Sequence, residues 1–205
     1  MDRVTHVMVV RHGQTDWNAQ LRIQGHTDIG LNDQGRLQAQ QLAQALREEP
    51  IQAIYASDLR RAFDTAHAVA TARGLEVKAD RALRERHFGV YEGLTYSQIE
   101  SQDPQGAKRW RDRDPTFGAQ GGESLSEFYQ RCCRSVERLA RAHEGQTILL
   151  VAHGGVLDAW YRMAARIELS APITWETPNA TVNRLLWSGQ GFSLVGWNDA
   201  QHLST

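Results

Sequence analysis

The chain has 205 residues, 23 basic against 24 acidic side chains and a formal net charge of −1. That length suits a single domain spanning residues 1–205, with a core large enough to stand without disulfide or metal staples. Charges of both signs are interleaved and no apolar stretch approaches a membrane span, which argues against nucleic acid or membrane as partner and for a cytoplasmic protein.

The first strong pattern is Val7-Met8-Val9-Val10, which reads as a buried strand and breaks abruptly into Arg11-His12-Gly13-Gln14-Thr15. Residues 14–31 lack periodicity and read as a long loop. Asn32 then offers an N-cap for a helix whose apolar face carries Leu37, Leu42, Ala45 and Leu46 and which stops near Pro50. The strand Ala53-Ile54-Tyr55-Ala56 follows, and Ser57 and Asp58 cap a helix with Arg60 and Arg61 in its first turn. Leu75-Glu76-Val77 is a short strand. This alternation predicts a three-layer α/β/α fold with a mostly parallel sheet covered on both faces.

Residues 80–122 leave that rhythm and are expected to form a small cap insertion. They include a short helix from Thr95 and the run Arg109-Trp110-Arg111-Asp112-Arg113-Asp114, whose alternating signs read as a solvated face. Tyr91 and Trp110 read as packing. From Ser124 an amphipathic helix points Leu125, Phe128, Cys132, Val136 and Leu139 inward. Cys132 and Cys133 are adjacent and poorly placed to bridge each other, so both read as reduced core residues. Ile148-Leu149-Leu150-Val151-Ala152 is a second buried strand, breaking into His153-Gly154-Gly155. A helix through Trp160 and Met163 and a C-terminal hairpin, 179–187 with 192–197, complete the chain.

Ligands of open α/β sheets gather beyond the carboxyl ends of the strands, so two His-Gly breaks at strand ends suggest one pocket lined by both. Gly13 would let the backbone approach a ligand, and Thr15 and Asn18 add short polar groups. There is no G-x-S-x-G elbow, no lysine-bearing P-loop and no G-x-G-x-x-G after a strand. A metal on His12 and His153 would have the Arg11 cation beside it and no closely spaced acidic ligand set, so metal and cofactor are both expected to be absent. An anion fits better: Arg11, the two imidazoles, Arg60 or Arg61, and free N–H groups after Gly13 and Gly154 would surround a phosphate.

In these residues the chain resembles the histidine phosphatase superfamily, which includes phosphoglycerate mutases and small-molecule phosphatases. Arg11-His12-Gly13-Gln14-Thr15-Asp16-Trp17-Asn18 is similar to its signature and Ser57-Asp58-Leu59-Arg60-Arg61-Ala62 to its second block. Leu83-Arg84-Glu85-Arg86-His87-Phe88-Gly89 resembles the acid block and His153-Gly154-Gly155 the last. The resemblance implies His12 as nucleophile, Arg11, Arg61 and a protonated His153 around the phosphate, and Glu85 as acid and base. It also implies phosphate or substrate contacts at Asn18, Gln24, Gly25 and Gly154. His26, His67 and His143 read as surface or core histidines, and His87 has no assigned role.

The expected partner is a small phosphate ester and the expected reaction its metal-independent hydrolysis through phosphohistidine. The mutase alternative draws on Glu85-Arg86-His87, but the stretch between Gly93 and Gly121 looks shorter than a mutase insertion. A non-catalytic phospholigand binder would have no use for a proton donor at Glu85. Nothing in the sequence specifies the oligomeric state.

Overall fold

A computed structural model describes residues 4–204. The strands are β1 Thr5–Arg11, β2 Ile51–Ala56, β3 Val77–Ala79, β4 Thr147–Ala152, β5 Val182–Trp187 and β6 Phe192–Asp199. The helices are α1 Asp16–Ala19, α2 Asp33–Ala45, α3 Arg60–Arg73, α4 Tyr96–Gln102, α5 Pro104–Arg111, α6 Leu125–Arg141 and α7 Gly154–Ala165. One sheet runs in the order β3-β2-β4-β1-β5-β6; its first four strands are parallel, and β5 and β6 add an antiparallel hairpin.

Successive side chains of a strand point to opposite faces, and the two central strands are apolar on both. Val7, Val9, Ile148 and Leu150 pack against α6 and α7 through Phe128, Val136, Leu157 and Trp160. Met8, Val10, Leu149 and Val151 pack against α2 and α3 through Leu42, Leu46, Ala66 and Val69. The sheet is therefore covered on both sides, as the alternation predicts. A third, smaller cluster around Tyr91, Ile99, Ala107 and Phe117 lies within residues 80–122. No helix among the described residues is long and apolar enough to cross a membrane.

Four local readings are corrected. The loop 14–31 contains α1, whose Thr15 and Asn18 form a capping box. Leu37 and Ala45 are exposed, because the buried stripe of α2 runs through Gly35, Ala39, Leu42 and Ala43 and a residue two positions away faces the other side. Leu59, not Ser57 or Asp58, is the N-cap of α3, and it offers no side-chain cap. Asp58 is instead held bidentately by Arg84 at 2.6 and 2.7 Å, while Asp28 accepts the Arg60 N–H at 2.8 Å. Finally, β3 starts at Val77, because α3 ends on Gly74 in the left-handed region and the Leu75 N–H turns back to Ala70 O.

Candidate active site

Parallel pairing of β1 with β4 sets Arg11 opposite Ala152, so the next residue of each strand leaves the sheet beside the other. Those residues are His12 and His153. Their ring centroids lie 5.2 Å apart and they are 2% and 0% exposed. The two His-Gly breaks are thus brought side by side.

His12 Nδ1 lies 2.7 Å from Gly13 O. A carbonyl can only accept, so the proton sits on Nδ1 and the lone pair on Nε2. Burial, then Arg61 and Arg11, push the imidazole well below its ordinary 6.5 and keep it neutral. That is the protonation state a nucleophile needs.

Arg61, 1% exposed, reaches in from the first turn of α3. Its Nη1 donates to Thr27 O at 2.9 Å and its Nη2 to Gly25 O at 2.8 Å, while Nε is buried without a partner. Arg11 Nη1 donates to Thr177 O at 2.7 Å, and its Nε is likewise unpartnered. Both ring nitrogens of His153 are buried and unpartnered too. Buried polar groups are almost always satisfied, and unpartnered ones gathered beside His12 could be satisfied by an anion. Burial is also the main reason that Arg61 falls to about 10.

Two expectations change here. Burial, Arg61, His12 and Arg11 push His153 well below 6.5, so it is neutral, and a proton on it would have to arrive with a phosphate dianion. The backbone N–H groups after Gly13 are not free either. Gly13 N donates to Thr65 Oγ1 at 3.0 Å, Gln14 N to Gln38 Oε1 at 2.9 Å and Thr15 N to Asn18 Oδ1 at 3.0 Å. Gly13 also lets α2 pack closely: a Cβ there would lie 2.5 Å from Gly35 O.

The weaker candidates surround the same place. Asn18 Oδ1 is engaged by Thr15, and Asn179 Nδ2 braces the loop by donating to His12 O at 2.8 Å. Buried Gln24 accepts from Thr15 Oγ1 at 2.9 Å. Gly25 has a φ of +55°, which favours glycine, and this turn presents its carbonyl to Arg61. Gly154 opens α7 and would meet the Arg11 guanidinium if it carried a Cβ.

Glu85 is fastened by two backbone donors, Arg86 N to Oε1 at 2.8 Å and Gly155 N to Oε2 at 3.0 Å. The second bond ties the acid to the helix that follows His153. Arg131 supports the same segment, donating to the carbonyls of Ala82, Arg84 and Glu85 while pairing with Glu123.

Sequence reasoning missed Glu92 and underrated His26. Glu92 accepts from the N–H of His26, Thr27 and Phe88 and from Thr27 Oγ1. It binds the loop that holds Arg61 to the segment that carries Glu85. His26 Nε2 donates to Glu85 O at 2.9 Å, and its ring lies 4.7 Å from that of His87. Only the Glu-Gly pair after Tyr91 hinted at such a role, and an exposed loop carboxylate looks the same in sequence. His67 is exposed, and His143 bonds Tyr55 and Gln146 away from the pocket.

A cavity of about 230 Å³ adjoins the acid, lined by Glu85, Gly154 and Gly155 and by Phe88, Trp110 and Trp175. Trp110 therefore lines the cavity as well as packing. Arg109 and Arg111 form exposed ion pairs, as the charge run predicts, but Arg113 turns inward to Asp158 at 2.8 Å. Among the described residues no cluster of three or more His, Cys, Asp or Glu side chains could hold a metal ion.

The profile of the histidine phosphatase superfamily (branch 1) matches residues 7–200. The chain belongs to that superfamily. It is 42% identical over 201 residues to phosphoglycerate mutase-like protein 4 of Arabidopsis thaliana, covering 96% of this chain and 86% of the relative. It is 35% identical to a metal-independent phosphoserine phosphatase of the same plant, covering 98% and 84%. A mycobacterial glucosyl-3-phosphoglycerate phosphatase solved with VO3 superposes with a TM-score of 0.85 at 34% identity, covering 95% of this chain and 99% of that one.

Proposed function

We propose that this histidine phosphatase hydrolyses small phosphomonoesters through a phosphohistidine on His12, without a metal ion. The observation that carries the reading is the group of four buried, unpartnered nitrogens, on Arg11, Arg61 and His153, around a neutral His12. The phosphatase relatives, one of them named metal-independent, support it.

His12 Nε2 forms the bond to phosphorus as the ester oxygen leaves. Arg11, Arg61 and His153 spread the charge of the transferring oxygens, the main demand of phosphoryl transfer. Glu85 gives a proton to the departing alcohol, then takes one from the water that breaks the Nε2–P bond. Residues 80–122 act as a cap beside the leaving group.

Rapid quenching during turnover tests the intermediate. Acid-labile phosphate should label the wild type and not His12→Ala, whose turnover should vanish. Near-normal turnover of His12→Ala would overturn the covalent mechanism.

A further inference from the structure

The cavity next to Glu85 is not lined by Arg11, His12, Arg61 or His153 themselves, so most of its lining is available to the rest of the substrate. Building on the phosphatase reading, the geometry points to a sugar phosphate, with an uncharged, hydroxyl-bearing ring as the leaving alcohol, rather than an amino-acid or carboxylic-acid phosphate.

Three features of the lining carry this. First, one wall is aromatic: Phe88 and Trp110 lie 5.2 Å apart and present broad apolar surface. The C–H face of a sugar ring gains by covering such a surface, and a small charged group does not. A second cavity shares Trp110, Arg113 and Ile173 with the first, which leaves room beyond one ring.

Second, the lining also carries polar groups of a kind that suits hydroxyl groups. Trp175 Nε1 is a buried donor without a partner, on a ring fixed by Tyr161 at 4.3 Å and by the Arg162 guanidinium at 4.7 Å. The Asp158 carboxylate also lines the cavity and retains acceptor capacity beyond its bonds to Arg113 and Arg162. A hydroxyl both donates and accepts, so neighbouring hydroxyls of one ring can satisfy both groups.

Third, the cavity's charges already have partners. Arg113 pairs with Asp158 and donates Nε to Leu169 O at 2.9 Å. Arg86 donates to Glu123 O and Phe117 O and lies in the field of Glu123 and Glu85. A substrate carboxylate would have to displace these partners beside Asp158, whereas a neutral ring would not.

The test is kcat/KM for glucose 6-phosphate, O-phosphoserine, 3-phosphoglycerate and acetyl phosphate, the last having no ring. Glucose 6-phosphate should exceed both carboxylates by about tenfold or more, because a site shaped for hydroxyls discriminates through the polar groups left unpaired. Trp110→Ala should lower kcat/KM for glucose 6-phosphate by roughly tenfold more than for acetyl phosphate, chiefly through KM. Trp175→Phe, which keeps the ring and removes the N–H, should lower the same ratio. Asp158→Asn, which frees the Arg113 charge, should raise the two carboxylates relative to the sugar. Equal or better turnover of O-phosphoserine or 3-phosphoglycerate by the wild type would overturn the sugar assignment and leave the phosphatase standing. No hydrolysis of any of the four phosphates, with no phosphohistidine formed, would overturn the phosphatase reading itself.

Discussion

Glu92 Oε2 accepts from both the N–H and the Oγ1 of Thr27, at 2.9 and 2.6 Å, and the carbonyl of Thr27 in turn holds Arg61 Nη1 at 2.9 Å. A carboxylate to which the sequence assigned no role thus sets the position of Arg61, the arginine proposed to bind phosphate.

Glu92→Ala removes four acceptor contacts to a side chain only 12% exposed. Each hydrogen bond to a charged group contributes about 1.5–3 kcal/mol, so displacement of the loop should lower kcat/KM by at least about tenfold. Inhibition by inorganic phosphate should weaken in parallel, since Arg61 is misplaced. Unchanged phosphate inhibition in a folded variant would show that the loop does not need Glu92.

Arg61→Lys tests the fork. The guanidinium holds two carbonyls with Nη1 and Nη2 and still has Nε for the substrate, which an ammonium on a flexible stem cannot reproduce. Loss of kcat should be on the order of 10²–10³, as for removal of a preorganised donor to a transition-state oxygen. A loss below fivefold, roughly, would mean that charge alone suffices.

Glu85→Gln separates the two proton transfers. For esters of poor alkoxide leaving groups the loss should be on the order of 10²–10⁴. For p-nitrophenyl phosphate, whose leaving group departs without a proton, it should be milder, limited to the water step. Equal losses on both would remove Glu85 as the leaving-group acid.

The pH dependence of stability has a definite sign. Burial and the two arginines hold His12 and His153 well below 6.5 in the folded protein, while in the unfolded chain they titrate near 6.5. Below about pH 6.5 the unfolded chain binds more protons than the folded one, so stability is complete above that pH and falls toward the depressed folded values. The melting temperature of phosphate-free protein should drop between about pH 7 and 5, and the drop should be shallower in a His12→Asn, His153→Asn double variant. An identical slope in the two proteins would assign the acid sensitivity elsewhere. Bound phosphate should oppose the drop, because its charge raises both imidazoles.

Hydrolysis and transfer are distinguished by the fate of the phosphoenzyme. Arg109 and Arg111 are paired with Asp114 and Glu100 at the surface, and neither lines the cavity beside Glu85. Water should therefore reach phospho-His12, and incubation with 3-phosphoglycerate and 2,3-bisphosphoglycerate should release free phosphate. Rapid appearance of 2-phosphoglycerate with little free phosphate, seen by phosphorus NMR, would establish a mutase.

The sequence by itself determined the layered fold and which strand ends stand side by side. Apolar runs such as Val7-Met8-Val9-Val10 and Ile148-Leu149-Leu150-Val151 read as central strands, and the polar residues that end them then stand at the carboxyl end of one sheet. Periodicity is a local signal, and it reached as far as local signals reach. What only the tertiary structure decided is which groups are already satisfied. The N–H groups from Gly13 onward, free by inspection, are taken by Thr65, Gln38 and Asn18, while nitrogens of Arg11, Arg61 and His153 are buried without a partner. Asp58, a cap by position, is drawn to Arg84, 26 residues on, because a bidentate charged pair outweighs a local turn. Glu92, Arg113 and Trp175 gain their roles from partners far along the chain, and spacing along a sequence carries no record of such partners until the sheet brings them together.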